Sequence, residues 1–143
     1  MAAGIVPNSR SRIHPVQAVL LASILPLALG ALLSDWAYWS SQEVQWINFT
    51  AWLVVGMLLF AGAALLWAVV DLLRADRRRD RRWLLHAAAL LATFVLGFIS
   101  ALVHNKDAWA TMPEGLILSV LVLLLAFASV WLGFSTARGG AAR

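Results

Sequence analysis

Two of the three histidines in this sequence have the placement of haem ligands. His14 opens the first apolar segment of the chain and His86 opens the third, and each follows an arginine at close range. A bis-histidine haem b requires two imidazoles that project inward from facing helices at the same depth. His14 and His86 are therefore candidate ligands of a single haem b.

The third histidine has a possible acidic partner. Asp35 ends the first apolar segment and His104 ends the third. A carboxylate and an imidazole at one membrane interface can handle protons or hold a quinone head group. Because an unsatisfied polar group at such depth costs several kcal/mol, we predict that Asp35 and His104 contact each other directly or through one water. A plain polar contact between helix ends is the alternative interpretation.

Four further residues lie near the segment ends that are expected to meet at this interface. They are Trp46, Asn48, Asp107 and Trp109. Indole rings prefer the level of the lipid headgroups, so tryptophans here are typical of an interfacial belt. Five of the eight tryptophans fall near these ends. A docking surface for a partner is therefore the other interpretation.

The spacing of His86 and His104 predicts that both point into a helix bundle. They are 18 residues apart, which is five turns at about 3.6 residues per turn, so they share one helix face. Thr93 and Gly97 lie on the same stripe, and small residues at this spacing let helices approach closely. We expect Gly97 to pack against a neighbouring helix.

The composition requires that most of the chain be surrounded by lipid. Its 143 residues are 62% hydrophobic and 13% charged, against about 45–50% and about 25% in soluble domains. Four unbroken apolar segments match the roughly 20 residues that a membrane-spanning helix needs. They cover about 16–34, 47–70, 83–103 and 115–134. With connections of about a dozen residues, short enough to join neighbouring helices, we predict one all-α domain over 1–143, an integral membrane four-helix bundle with antiparallel up-down topology.

The basic residues predict the orientation of this bundle. All ten arginines flank the segments on one side, and Lys106 is the only basic residue on the other side apart from histidine. Positively charged connections of membrane proteins stay on the cytoplasmic side. We therefore predict a protein of the bacterial inner membrane with both termini in the cytoplasm.

This orientation makes a direct prediction for labelling. Cysteines introduced at Ser41 and at Arg78 should react with a membrane-impermeant thiol reagent from opposite sides of sealed cells, because the first lies in an outer connection and the second in the arginine-rich inner connection. Labelling of both positions from outside would contradict it.

Several classes of activity have no support in the residues. The chain lacks cysteine, and it contains no HExxH, GxSxG, P-loop or GxGxxG motif, so neither a metal site nor a hydrolytic or nucleotide site is predicted. The segment RADRRRDRR at 74–82 is interpreted as a cytoplasmic loop beside anionic lipid, and not as a nucleic-acid site, because it contains two aspartates and joins two spans. We assign no catalytic residue and expect no independent catalytic activity.

Four stretches of the sequence resemble the family named domain of unknown function 2231, which consists of small predicted membrane proteins, mostly bacterial. They are Ile13-His14-Pro15, LPLALGALLSDWAYW, QWINFTAWLVVGMLLFAGAALLWAVVDLLR and HNKDAWATMPEGLILS. The matching positions are His14, Pro15, Asp35, Trp46, Trp52, Asp71, His104, Asp107, Trp109, Pro113 and Glu114. Relatives often carry a Phe-Pro pair where this chain has Ser23-Ile24-Leu25-Pro26.

The resemblance implies four helices and no settled activity, with a place beside periplasmic sugar or aldose dehydrogenases. The sequence therefore leaves three functions open. The first is a membrane redox subunit with a haem b or quinone site, which serves a periplasmic dehydrogenase. The second is a non-catalytic module that anchors or assembles a partner. The third is a protomer of a small-solute channel or transporter, which ranks last because the chain lacks the broken inverted repeats of transporters.

Overall fold

The computed structural model describes residues 13–74, 81–106 and 108–139. This part of the chain forms four long helices: α1 over Pro15–Ser41, α2 over Val44–Leu73, α3 over Arg81–His104 and α5 over Glu114–Gly139, with the single-turn helix α4 over Ala108–Thr111 between the last two. All four long helices are long and apolar enough to cross a membrane, so the four predicted spans are confirmed as helices. The orientation of the termini stays a prediction.

The first connection is much shorter than expected. Helix α1 continues past the apolar segment to Ser41, and α2 begins at Val44. Two residues therefore join them, and the expectation of about a dozen is wrong here. The turn is possible because Gln42 adopts a left-handed backbone conformation, with φ of 59°, and its N–H donates to the carbonyl of Tyr38 at 2.7 Å.

Helix α1 begins where the sequence supplies a cap. The ring nitrogen Nδ1 of His14 accepts a hydrogen bond from the backbone N–H of Val16, which satisfies one of the free donors of the first turn. Pro15 takes the first helical position, where its missing N–H costs nothing. The helix then runs without interruption through Pro26.

The four long helices form a closed ring. Helix α1 packs against α2 and α5, and α3 packs against the same two helices. Hydrogen bonds show which ends lie together: Thr50 in α2 donates to the carbonyl of Ala31 in α1, while His104 in α3 and Ser119 in α5 both bond to Asp35 in α1. We call this end of the bundle the Asp35 end. The opposite end is the His86 end, where His86 in α3 meets the last turns of α5.

Small side chains fill the interior, and large apolar side chains cover the outside. Ala61, Ala64 and Ala68 of α2 are buried, whereas Leu59 and Leu66 of the same helix are 71% and 70% exposed. In a membrane, lipid is as apolar as leucine, so helices associate through close packing of small residues. The distribution is therefore that of a bundle whose outer surface contacts lipid.

Gly97 has the predicted position. It is buried on the face of α3 that packs against α2, and a Cβ at this position would lie 2.6 Å from Cε of Met57 and 3.1 Å from Cδ2 of Leu58. The expected packing of Gly97 against a neighbouring helix is confirmed. His86 and His104 are both buried among the helices, so their predicted inward direction is confirmed as well.

Candidate functional site

Asp35 and His104 form a direct contact in the interior of the Asp35 end. Nε2 of His104 lies 3.0 Å from Oδ1 and 3.2 Å from Oδ2 of Asp35. Both side chains are 0% exposed. The predicted contact between the two residues is confirmed, and no intervening water is needed at these distances.

The second ring nitrogen of His104 determines how many protons the pair holds. Nδ1 lies 2.7 Å from the carbonyl oxygen of Ser100. A carbonyl only accepts hydrogen bonds, so Nδ1 carries a hydrogen. Since Nε2 faces a carboxyl group, a further proton must lie between these two groups, either on the ring or on Asp35. The Asp35–His104 pair therefore holds one proton that can sit on either partner, and it is neutral as a whole in both arrangements.

A third helix completes this cluster. The hydroxyl of Ser119 in α5 donates to Oδ2 of Asp35 at 2.5 Å, and Ser119 is 3% exposed. The carboxyl group of Asp35, a residue of α1, is thus hydrogen-bonded to side chains of both α3 and α5. Sequence reasoning did not single out Ser119. Its only signal is a hydroxyl within an otherwise apolar segment, and such serines commonly bond to a carbonyl of their own helix.

Gly115 explains how α5 comes so close to the imidazole. A Cβ at this position would lie 3.2 Å from both Cε1 and Nε2 of His104 and 2.8 Å from Cγ2 of Thr111. Any side chain here would press on the ring and on the turn that precedes α5. Thr111 is itself fully buried. The glycine therefore allows the helix to close over the Asp35–His104 pair.

The order of groups in this cluster differs from that of a hydrolase triad. In a Ser-His-Asp triad the imidazole takes the proton of the serine. Here the hydroxyl of Ser119 bonds to the carboxyl group, and the two ring nitrogens of His104 face Asp35 and the carbonyl of Ser100. The arrangement can hold and pass a proton, but it does not activate a serine.

His86 occupies a different environment at the opposite end. Its Nδ1 donates to the carbonyl of Ser129 at 3.0 Å, since that oxygen can only accept. The ring is 0% exposed and lies edge-on to Trp83. Its Nε2 has no hydrogen-bond partner among the described residues.

The structure does not bring His14 and His86 together. His14 is exposed, its Nδ1 caps α1, and its ring lies 5.1 Å from that of Trp67. Within the described ranges, no hydrogen bond or ring contact joins it to His86. A haem pair requires both imidazoles in one cavity. These residues do not fit that requirement, and we derive no chemistry through haem.

The residues predicted to surround the pair are described in part. Trp46 is 36% exposed and Asn48 is exposed at the start of α2. Asp107 lies outside the described residues, and so does the side chain of Trp109. A cavity of about 240 Å³ is lined by Gln45, Trp46 and Phe49. It combines two aromatic walls with one amide on the surface of the Asp35 end.

Two smaller features of the described residues lie outside this pair. Asp71 and Arg74 lie 3.9 Å apart at the end of α2 and form a local ion pair. The part of the chain that the structure describes contains no group of three metal-ligating side chains.

The comparisons with known proteins give one match. The family described as a predicted membrane protein (DUF2231) matches residues 12–140, in agreement with the resemblance inferred from the sequence. No curated protein and no solved structure matches the chain.

Proposed function

The chain belongs to the DUF2231 family of predicted membrane proteins, and we propose that it is a membrane redox subunit that binds a quinone head group at its Asp35 end and serves a dehydrogenase outside the membrane. The single observation that carries this proposal is the direct contact between the buried side chains of Asp35 and His104. Ionisable groups inside a membrane protein are costly, and they commonly mark proton paths.

A quinone that receives two electrons also takes up two protons, which convert its two carbonyl groups into hydroxyls. The Asp35–His104 pair supplies one of these protons. Water at the membrane surface supplies the other and then returns a proton to the pair. Ser119 stays bonded to the carboxylate that remains and stabilises its charge. The electrons come from the dehydrogenase, so the chain by itself needs no catalytic activity.

The cavity at the start of α2 suits the head group. Trp46 and Phe49 provide aromatic faces for a planar ring, and the amide of Gln45 can donate to a carbonyl oxygen. Thr50 connects the start of α2, where the cavity lies, to α1 near Asp35: its hydroxyl bonds to the carbonyls of both Trp46 and Ala31. Ala31 lies one turn before Asp35.

The proposal includes a location and an orientation. With the arginine-rich connection in the cytoplasm, the protein is a multi-pass protein of the bacterial inner membrane, with both termini cytoplasmic and residues 1–143 in one domain. The Asp35 end then faces the periplasm. A periplasmic dehydrogenase would meet the cavity on that side.

Binding and electron transfer test this function separately. The purified chain is placed in lipid nanodiscs and titrated with a short-chain quinone. Binding of the quinone should quench the tryptophan fluorescence of the chain. Gln45→Ala should weaken binding about threefold to tenfold, the effect of one hydrogen bond. Trp131→Ala should leave the quinone affinity unchanged, because Trp131 is an exposed tryptophan at the other end of the bundle.

In membranes, substrate-dependent quinone reduction by the partner dehydrogenase should fall in Asp35→Asn and in His104→Ala. If both variants fold and reduce quinone at the rate of the unchanged protein, the redox proposal is wrong. The anchoring function then takes its place. One observation favours that second function, namely the high exposure of Trp36 and Trp52 at the same end, 63% and 76%.

A further inference from the structure

A second cavity at the Asp35 end lies on another side of the bundle, between the end of α3 and the beginning of α5. It has a volume of about 400 Å³. Its lining residues are Val103, Lys106, Glu114, Ile117 and Leu118. We call this cavity the α3–α5 groove.

Two opposite charges line this groove without pairing. Lys106 and Glu114 are both exposed. Among the described residues, the ion pairs are Asp71–Arg74 and Asp35–His104, and neither Lys106 nor Glu114 has a further side-chain partner. An ammonium and a carboxylate that face one cavity and remain apart can accommodate a ligand with the complementary charges between them.

The groove is polar at the helix ends and apolar further along the two helices. Lys106 follows the end of α3, and Glu114 is the first residue of α5. Ile117 and Leu118 lie about one turn further into α5, and Val103 lies one residue before the end of α3. A charged rim at the level of the headgroups with apolar walls towards the hydrocarbon core matches the shape of a lipid.

We propose that the α3–α5 groove binds a phospholipid whose headgroup carries both a phosphate and a primary ammonium, as in phosphatidylethanolamine. Lys106 binds the phosphate, Glu114 accepts hydrogen bonds from the ammonium, and an acyl chain lies against Val103, Ile117 and Leu118. A quinone head group fits this groove less well, because its carbonyl oxygens only accept hydrogen bonds and Glu114 would offer them no donor.

The same chemistry separates this lipid from two others. The quaternary ammonium of phosphatidylcholine has no N–H to donate to Glu114. The headgroup of phosphatidylglycerol has no cation and offers only neutral hydroxyls to Glu114, which bind a carboxylate more weakly than an ammonium does. The groove should therefore prefer phosphatidylethanolamine to both.

Native mass spectrometry of the full chain tests this preference. The protein in detergent is mixed with equal amounts of the three phospholipids. The detergent is removed in the mass spectrometer, and the lipids that stay bound to the protein are counted. We expect phosphatidylethanolamine to be retained about threefold to tenfold more often than the other two, the effect of one charged hydrogen bond near a surface.

Variants locate the site. Glu114→Gln should remove the preference, because the headgroup ammonium is what distinguishes the three lipids. Lys106→Ala should lower the retention of all three lipids, since each carries a phosphate, and Lys106→Arg should keep it because the guanidinium also binds phosphate. Glu43→Gln is the matched control, since Glu43 is an exposed carboxylate at the same end of the bundle but on the α1–α2 side. Equal retention of the three lipids by the unchanged protein would overturn the proposal. So would a preference that survives in Lys106→Ala/Glu114→Gln.

Discussion

Replacement of Asp35 by leucine is expected to lower the free energy of unfolding by about 3–5 kcal/mol, the cost of removing one partner of a buried ion pair. The substitution leaves Nε2 of His104 and the hydroxyl of Ser119 without their partner in a fully buried place. Unfolding by a denaturing detergent, followed by tryptophan fluorescence, measures this change.

Asp71→Asn is the matched control for this substitution. Asp71 is also a carboxylate in a spanning helix, but its partner Arg74 is 75% exposed and 3.9 Å away. Because Arg74 is exposed to solvent and the two groups are this far apart, we expect the pair to contribute about 0–1 kcal/mol, as surface ion pairs do. A loss in Asp35→Leu no greater than that in Asp71→Asn would show that the Asp35–His104 contact does not stabilise the bundle.

The double variant Asp35→Leu/His104→Leu shows whether the loss of stability comes from the broken Asp35–His104 contact or from the changed shape of the side chains. When both polar partners are replaced by apolar groups of similar size, the penalty for an unpaired buried group disappears. The double variant should therefore be more stable than Asp35→Leu alone. Additive losses would mean that the two side chains act independently.

The transmembrane segments could be predicted because lipid requires long apolar helices, whereas the ends of the helices could not. Hydropathy measures which residues lie in the hydrocarbon core, and it falls at Asp35. The helix itself continues to Ser41, because Trp36, Tyr38 and Trp39 tolerate the interface and Gln42 supplies the cap. The α1–α2 connection is consequently two residues long.

The Asp35–His104 contact could be predicted for a similar reason. Both residues end apolar segments that must reach the same interface, and each needs a partner there. Ser119 was missed because its contact depends on the rotation of α5 about its axis, which a nearly uniform run of leucine, isoleucine and valine does not specify. Buried serines elsewhere in the bundle bond within their own helix, as Ser34 and Ser129 do.

The predicted haem ligands His14 and His86 show that equal depth in the membrane is not enough to predict a shared site. His14 and His86 both lie near the His86 end, as their positions in the sequence indicate. Whether two histidines share a cavity depends on the direction of each side chain, and His14 points to Trp67 on the surface while His86 is buried against α5. Equal depth alone does not determine those directions.

Gly133→Ala is the second substitution with a large expected effect. A Cβ at position 133 would lie 2.8 Å from Cε1 of His86 and 2.9 Å from Cδ1 of Leu21. The imidazole is held by its bond to the carbonyl of Ser129, so it can yield only if that bond breaks or α5 moves away. We expect a loss of about 1–3 kcal/mol in the free energy of unfolding, the usual cost of overpacking.

Two other glycines are matched controls for this substitution. At Gly56 a Cβ would make only ordinary contacts with Leu27, at 3.7 Å, so Gly56→Ala should be neutral or stabilising, since alanine is the better helix former. At Gly97 the closest atom is Cε of Met57, the end of a flexible side chain. Gly97→Ala should therefore cost less than Gly133→Ala, because methionine can adapt its conformation.

A double variant shows whether the imidazole is the obstacle. In His86→Ala the ring that meets the new Cβ is gone, so a further Gly133→Ala should cost little and can even restore some stability through helix propensity. The loss in the double variant should thus be clearly smaller than the sum of the two single losses. If the losses add, His86 is not the obstacle to the new Cβ, and Leu21 of α1, whose Cδ1 would lie 2.9 Å away, is the obstacle instead.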